Sequence, residues 1–251
     1  MKPNRRVLLN LLLALCLVWP ALGQAAEIRV AVAANFTETA KTLGTAFERR
    51  TGHRVTHSFG SSGQLATQIQ QGAPFDVFLS ADAERPLWLE QQSLTVKGSR
   101  FVYAYGRLVL WSGDKSRTDV NLKGLRAGRF SHLAIADPLT APYGLAAEEV
   151  LKKHALFGQI SPKIVKGGNI AQTYGFVKTR AADMGFVALS QVKGRNEGIY
   201  WLVPAADYSP IDQQAVWLKR SENNTAARAY MGFLKSPEAR KIIRAQGYEV
   251  D

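Results

Sequence analysis

A short run of glycines and serines at residues 58–63, Ser58-Phe59-Gly60-Ser61-Ser62-Gly63, has the composition of an anion-binding turn. It lies between an expected strand, Arg54–His57, and an expected helix, Gln64–Gln71. Glycines let the backbone turn tightly, and the first N–H groups of a helix lack intrahelical partners at the positive end of its dipole. Serine hydroxyls add donors that carry no charge. Taken alone, the run is more typical of an ordinary helix cap than of an anion site.

Three further strand-to-helix junctions have the same uncharged character. Together with the first, they are Ala33–Phe36, Phe59–Gly63, Asp137–Gly144 and Gly167–Ile170. They contain no Lys, Arg or His, and Asp137 is their only acidic residue. A site for a phosphate ester or a nucleotide often uses Lys or Arg. Backbone amides assisted by Asn35, Ser62 and Tyr143 could instead hold a dehydrated dianion through dipoles.

The elements that must position these junctions follow a repeated strand–helix order. Apolar residues alternate in the strands and recur every three or four residues in the helices. The expected strands are Glu27–Ala33, Arg54–His57, Phe75–Leu79, His132–Ala136, Lys163–Lys166 and Met184–Ala188. The expected helices include Gln64–Gln71, Ala83–Gln92, Pro142–His154, Ile170–Arg180, Thr225–Leu234 and Pro237–Gln246. Asn35, three residues before Glu38, is expected to cap the first helix, which Gly52 ends. This order predicts an α/β fold with mainly parallel sheets flanked by helices.

A long β-rich run, Arg100–Ser112, predicts that the chain is divided into two lobes. It exceeds a typical strand, and Gly106 interrupts it, so we expect a crossover into a second lobe there. Gln214–Leu218 is expected to cross back. We therefore expect lobe one at residues 26–105 and 216–251, lobe two at 106–215, and a cleft between them. Ligands of such sheets bind outside the carboxyl ends of the strands, where the four junctions lie.

Residues 1–25 have the pattern of a secretory signal peptide. Three basic residues precede the apolar run Val7–Val18, Pro20 ends that run, and small residues at positions 23 and 25 suit cleavage after Ala25. A membrane anchor is the alternative, but the run is short for a bilayer span. Lipid attachment at Cys16 is a third, disfavoured because Leu15 is bulky where such signals have a small residue. We expect export to the periplasm.

Composition narrows the classes of partner. The single cysteine lies in the leader, so the mature chain would contain no disulfide, thiol chemistry or cysteine-based metal site. Loss of the leader lowers the formal net charge from +12 to +9. The basic residues are scattered rather than clustered, which together with export argues against nucleic acid as a partner. A basic exterior would also steer a small anion toward a cleft.

In the order and spacing of several motifs, the chain resembles the periplasmic molybdate-binding proteins of molybdate ABC importers. The resemblance spans residues 27–251. It runs through Ala33-Ala34-Asn35-Phe36, Phe59–Gly63, Gly72–Asp82, Ala141-Pro142-Tyr143-Gly144 and Met184–Ala188. It implies a two-lobed, type II periplasmic-binding fold that closes on molybdate or tungstate. Such a protein delivers the oxyanion to a membrane permease and its ATPase. We expect no cofactor and a monomer.

The resemblance also implies a set of site residues. Asn35 and Ser62 match ligands from lobe one, while Tyr143 and Ile170 match positions in lobe two that contribute backbone amides. These residues would hold the metal as molybdate, not as a bare cation. Some members of the family supply a tyrosine hydroxyl where this chain has Ala188. We infer that the hydroxyl of Tyr143 takes its place from a different loop.

Functions of other classes remain open at this point. An enzyme could use Ser61 or Ser62 as nucleophile and His57 as base, but the Gly-x-Ser-x-Gly elbow is absent and no triad is visible. We expect no catalysis. His53 and His57 are spaced for a metal pair on a helix, yet they flank an expected strand and lack a third ligand.

Two binding alternatives and the purely structural interpretation also remain. Tyr103 and Tyr105 could bind ferric ion, although alternate residues on a strand are more often a packing pair. A receptor of the same fold for sulfate or phosphate is the nearer alternative. Asn35 could act only as a cap, and Ile170 only as the first core residue of its helix.

Overall fold

Two five-stranded sheets flanked by helices make up residues 25–251, the part of the chain that the computed structural model describes. The strands are β1 Glu27–Ala33, β2 Arg54–Gly60, β3 Val77–Leu79, β4 Phe101–Gly106, β5 Leu108–Ser112, β6 Leu133–Ala136, β7 Ile164–Gly167, β8 Met184–Ala188, β9 Ile199–Leu202 and β10 Ile211–Trp217. The helices are α1 Thr37–Thr51, α2 Ser62–Gln70, α3 Glu84–Gln91, α4 Leu122–Ala127, α5 Pro142–Lys153, α6 Phe157–Ile160, α7 Ile170–Lys178, α8 Leu189–Val192, α9 Thr225–Leu234 and α10 Pro237–Ala245. The expected signal peptide lies outside the described residues except for Ala25. Within 25–251, no helix is long and apolar enough to cross a membrane.

The two sheets share one plan. The first has the order β2-β1-β3-β10-β4 and the second the order β7-β6-β8-β5-β9. In each sheet the first three strands are parallel, the fourth is antiparallel to both neighbours, and the edge strand therefore returns to the common direction. The expectation of two α/β lobes, each with a mainly parallel sheet, is confirmed. We call the part built on the first sheet lobe one and the part built on the second lobe two.

Two chain crossings connect the lobes. β4 ends at Gly106 in the first sheet, and β5 begins at Leu108 in the second, so the chain passes from one sheet to the other beside Gly106. The return is made by β10, which pairs with β3 and β4 from Ile211 onward. The expected boundary between residues 215 and 216 falls inside this strand. We therefore propose that lobe two ends just before Ile211.

Alternating side chains of β1 place lobe one's core on both faces of its sheet. Ile28, Val30 and Val32 pack with α1, α9 and α10, whereas Ala31 faces α2 and α3 on the other side. The period of two in a strand produces this division. Burial of both faces is the usual state of a sheet built largely from parallel strands.

Three local expectations differ from the structure. β2 continues to Gly60 because Ser58-Phe59-Gly60 pair with the last residues of β1. Strand β9 and helices α4, α6 and α8 are not among the expected elements. Asn35 does not cap α1: it lies in a 3-10 turn, Ala34–Phe36, and α1 begins at Thr37 without a side-chain cap. The side chain of Asn35 has buried partners instead, as described below.

Candidate functional site

The four strand-to-helix junctions meet at one small cavity between the lobes. Asn35 and Ser62 line it from lobe one, and Tyr143 and Ile170 line it from lobe two. The remaining lining residues are small or uncharged: Ala33, Ala34, Gly60, Ser61, Ala81, Ala141 and Pro142. None of the described residues that line the cavity carries a charged side chain. The four residues expected from the sequence are thus brought together, although they are far apart along the chain.

Ser61 and Ser62, at the start of α2, make different hydrogen bonds. Ser61 is the N-cap residue, and its hydroxyl accepts a hydrogen bond of 3.4 Å from the N–H of Gln64. Ser62 is fully buried, and its hydroxyl accepts from the N–H of Ala81 at 2.9 Å. Because this bond uses only a lone pair, the hydroxyl proton of Ser62 is available to a group in the cavity.

Lobe two directs two helix N-termini at the cavity. Pro142 is the first residue of α5 and has no N–H, so Tyr143 supplies an early donor of that helix. The side chain of Asn169 caps α7 by accepting from the N–H groups of Ala171 and Gln172, each at 3.0 Å. This cap leaves the N–H of Ile170 without an intrahelical partner. Both helix dipoles favour negative charge at these ends.

The phenol of Tyr143 is buried at the floor of the cleft. Its side chain is 1% exposed, and its hydroxyl has no hydrogen-bond partner among the described residues. Burial raises the pKa of this phenol well above its ordinary value, so the group remains a neutral donor. A buried hydroxyl without a partner carries a desolvation cost, which a ligand could offset.

Asn35 is held in place by three residues that the sequence analysis did not single out. Its Nδ2 donates to Oε1 of Gln213 at 2.8 Å and to the hydroxyl of Tyr248 at 3.0 Å. The backbone carbonyl oxygen of Asn35 accepts from the hydroxyl of Tyr248 at 2.7 Å and from the hydroxyl of Ser190 at 3.2 Å. In β10, Gln213 is flanked by the polar residues Asp212 and Gln214, so its residue type alone does not distinguish it in the sequence.

The lobes touch around the cavity. Across the cleft, the N–H of Gly63 donates to the carbonyl of Thr140 at 2.9 Å, and the guanidinium of Arg85 donates to the carbonyl of Leu139 at 3.1 Å. Ser190 of lobe two reaches Asn35 of lobe one, as given above. The structure is therefore a closed arrangement in which the cavity is enclosed by both lobes.

Within residues 25–251, the histidines considered as a catalytic base or as metal ligands are not assembled into a site. His57 packs against Gly44 and stacks on Phe59, and burial lowers its pKa to about 4. Nδ1 of His53 accepts from the N–H of Ala26. Across residues 25–251, no three His, Cys, Asp or Glu side chains are grouped as metal ligands.

The two tyrosines considered for ferric ion have separate partners. The single hydroxyl proton of Tyr103 has two acceptors within reach, the carbonyl oxygen of Ser80 at 3.1 Å and Oε1 of Gln213 at 3.2 Å. Tyr105 pairs with the carboxylate of Asp251 at 3.0 Å. Their hydroxyls serve different parts of lobe one, so they do not form a pair of ligands.

Comparison with known proteins gives one family. Residues 28–249 match the family described as bacterial extracellular solute-binding protein. The molybdate-binding protein ModA of Rhodobacter capsulatus is 52% identical over 224 residues, which are 89% of this chain and 88% of that protein. A molybdate-binding protein ModA of Azotobacter vinelandii is 49% identical over 90% of this chain and 91% of that protein. The solved structure of the Azotobacter vinelandii periplasmic molybdate-binding protein superposes with a TM-score of 0.86 at 40% identity, covering 89% of this chain and 99% of that chain. The chain belongs to the bacterial extracellular solute-binding protein family, in the branch of the molybdate-binding proteins.

Proposed function

We propose that this protein is the receptor of an ABC importer and captures molybdate, and also tungstate, in the cavity between its lobes. One observation carries the proposal: helix N-termini from both lobes converge on an enclosed cavity that uncharged donors line. Such a site stabilises a dehydrated dianion through dipoles rather than through a counter-charge. The names of relatives that are about half identical to this chain support molybdate as the dianion.

Asn35, Ser62, Tyr143 and Ile170 are the proposed ligand residues. Ser62 would contribute its hydroxyl proton, while Tyr143 and Ile170 would contribute backbone N–H groups at the starts of α5 and α7. Asn35 would contribute its backbone N–H, because both protons of its Nδ2 bond to Gln213 and Tyr248. The phenol of Tyr143 is the proposed fifth donor, because Ala188 ends β8 without a polar side chain. The protein needs no cofactor for this task and carries out no reaction on the ligand.

Export and delivery complete the proposal. Cleavage after Ala25 would release a monomer into the periplasm, where it would bring the oxyanion to a membrane permease and its ATPase. A receptor for sulfate or phosphate is the alternative within the same fold, and the identities to molybdate-binding proteins do not favour it.

A thermal-shift screen of ligand-stripped mature protein tests the proposal. Ligand at about 100 times Kd stabilises a protein by about 2.7 kcal/mol, which a melting curve resolves. Molybdate and tungstate at micromolar excess should each raise Tm, whereas sulfate and phosphate should leave it unchanged. Equal shifts with sulfate would assign the protein to general tetrahedral oxyanions, and no shift with molybdate would overturn the proposal.

A further inference from the structure

Gln213 is a fully buried polar residue on the strand that returns the chain to lobe one. It lies in β10, and the pairing of β10 with β4 shifts register between Gln213 and Gln214. Such bulges are frequent beside functional sites, where they redirect a side chain. The Gln213 side chain bonds to Asn35, which lines the cavity, while Oε1 of Gln214 accepts from Arg100 at 2.8 Å.

The two ends of the Gln213 carboxamide have unequal surroundings. Oε1 accepts from Nδ2 of Asn35 at 2.8 Å and from the hydroxyl of Tyr103 at 3.2 Å. These two bonds require Nε2 to face the opposite way, toward Gly106. There, Nε2 has no hydrogen-bond partner among residues 25–251, and neither does the hydroxyl of Tyr143.

Both unpartnered groups lie against the same α-carbon. A β-carbon placed on Gly106 would be 2.3 Å from the hydroxyl of Tyr143 and 3.0 Å from Nε2 of Gln213. Both groups therefore border the space beside Gly106, and they form no hydrogen bond with each other in this structure. Nε2 of Gln213 and the hydroxyl of Tyr143 are thus two buried donors without partners in the same region. Buried donors are normally paired, so this arrangement indicates a series of hydrogen bonds that is completed when a ligand supplies a further acceptor.

We infer that Gln213 is a positioning residue for oxyanion capture, an inference that rests on the proposed function. Its Oε1 holds the carboxamide of Asn35, and its Nε2 donates to the phenolic oxygen of Tyr143. The phenol then accepts from Gln213 and directs its own proton to the oxyanion. All three side chains in this series of hydrogen bonds, Asn35, Gln213 and Tyr143, are neutral, which matches the uncharged lining of the cavity.

Glutamate is the substitution that discriminates this role from simple packing. Gln213→Glu keeps the shape and keeps an oxygen for Asn35 and Tyr103. An ionised carboxylate, however, cannot donate to Tyr143, and it places negative charge beneath a dianion. Burial raises the pKa of a carboxyl group, so Gln213→Glu should be neutral at low pH and charged at higher pH. A position 213 side chain that lies remote from the oxyanion predicts no such dependence of affinity on pH.

The experiment is a calorimetric titration of molybdate into wild type, Gln213→Glu and Gln214→Glu from about pH 6 to about pH 8.5, a range that spans the pKa values of buried carboxyls. Gln214→Glu makes the same change in charge one residue away, beside Arg100, and is the matched control. The titratable groups around these hydrogen bonds are the phenols of Tyr103, Tyr143, Tyr208, Tyr230 and Tyr248 and the carboxyl of Asp82, and all of them are common to the variants.

We expect the affinity of Gln213→Glu to fall at least tenfold relative to wild type as pH rises, and that of Gln214→Glu to follow wild type. Gln213→Met, which retains length but cannot hydrogen-bond, should lose affinity about equally at every pH. Parallel curves for wild type and Gln213→Glu, with equal affinities, would overturn the inference. If wild type itself does not bind molybdate, the proposed function fails, and that outcome is separate from a failure of the role of Gln213.

Discussion

The hydroxyl of Tyr143 in lobe two lies directly against Gly106 at the end of β4 in lobe one. A β-carbon on Gly106 would be 2.3 Å from that oxygen, far inside van der Waals contact. Gly106, at the passage between the lobes, and Tyr143, a proposed ligand residue, are thus direct neighbours. A side chain at position 106 would therefore have to displace the Tyr143 hydroxyl when the cleft is closed.

Gly106→Ala should therefore weaken ligand binding by opposing closure. The added methyl group would also meet Ile211 and Gln213 within lobe one, so a part of the cost falls on the unliganded protein. Overpacking costs about 1–3 kcal/mol, and about 1.4 kcal/mol is one decade of affinity. We expect a loss of molybdate affinity of about tenfold or more in calorimetry. Small-angle scattering with molybdate should give a larger radius of gyration than for liganded wild type.

Gly175→Ala is the matched control for this prediction. A β-carbon at Gly175, in α7, meets nothing within 4 Å. Its affinity and its scattering profile should equal those of wild type. If Gly106→Ala closes and binds as wild type does, the contact with Tyr143 yields easily and does not limit closure.

Tyr143→Phe tests whether the hydroxyl of Tyr143 donates to the ligand, as proposed because Ala188 has no polar side chain. The change keeps the ring and the backbone N–H and removes only the hydroxyl. A hydrogen bond to a charged group contributes about 1.5–3 kcal/mol, so we expect affinity to fall about ten- to a hundredfold. The Tm without ligand should not fall, because the hydroxyl is unpartnered within the described chain. Equal affinities in calorimetry would show that Tyr143 contributes only its backbone.

Ser61→Ala and Ser62→Ala should separate the cap of α2 from the ligand donor beside it. Loss of the Ser61 cap should lower stability by about 0.5–2 kcal/mol with little change in affinity. Loss of Ser62 should lower both, because the N–H of Ala81 loses its acceptor and the ligand loses a donor. Chemical unfolding and calorimetry on both variants provide the comparison. Equal losses of affinity in the two variants would contradict the division of roles.

Ser190→Ala should speed the release of ligand without changing the unliganded fold. The Ser190 hydroxyl lies 2.8 Å from that of Tyr248 and 3.2 Å from the carbonyl of Asn35, and both contacts cross from lobe two to lobe one. A neutral hydrogen bond contributes about 0.5–1.5 kcal/mol, so we expect molybdate to dissociate about two- to tenfold faster. Stopped-flow displacement measures the rate. An unchanged rate would indicate that these contacts do not hold the cleft closed.

Local sequence patterns were sufficient to predict several of the strands and helices that position the cavity residues. β1, β8 and α9 have the bounds expected from the sequence. Hydrophobic periodicity and helix caps are local signals, because they depend on residues only a few positions apart. The resemblance in the motifs then placed Asn35, Ser62, Tyr143 and Ile170 together, and all four line one cavity.

The partners of Asn35 were decided only by tertiary structure. A local pattern suggested that Asn35 caps a helix, but its amide bonds to Gln213 and Tyr248, far away in the chain. A buried amide takes the partners that folding brings within reach, and neither spacing nor propensity records them. The sequence determined which donors face the cleft and that they are uncharged. The tertiary structure determined that the Tyr143 hydroxyl and Gly106 meet, since that contact exists only when both lobes are folded and closed on one another.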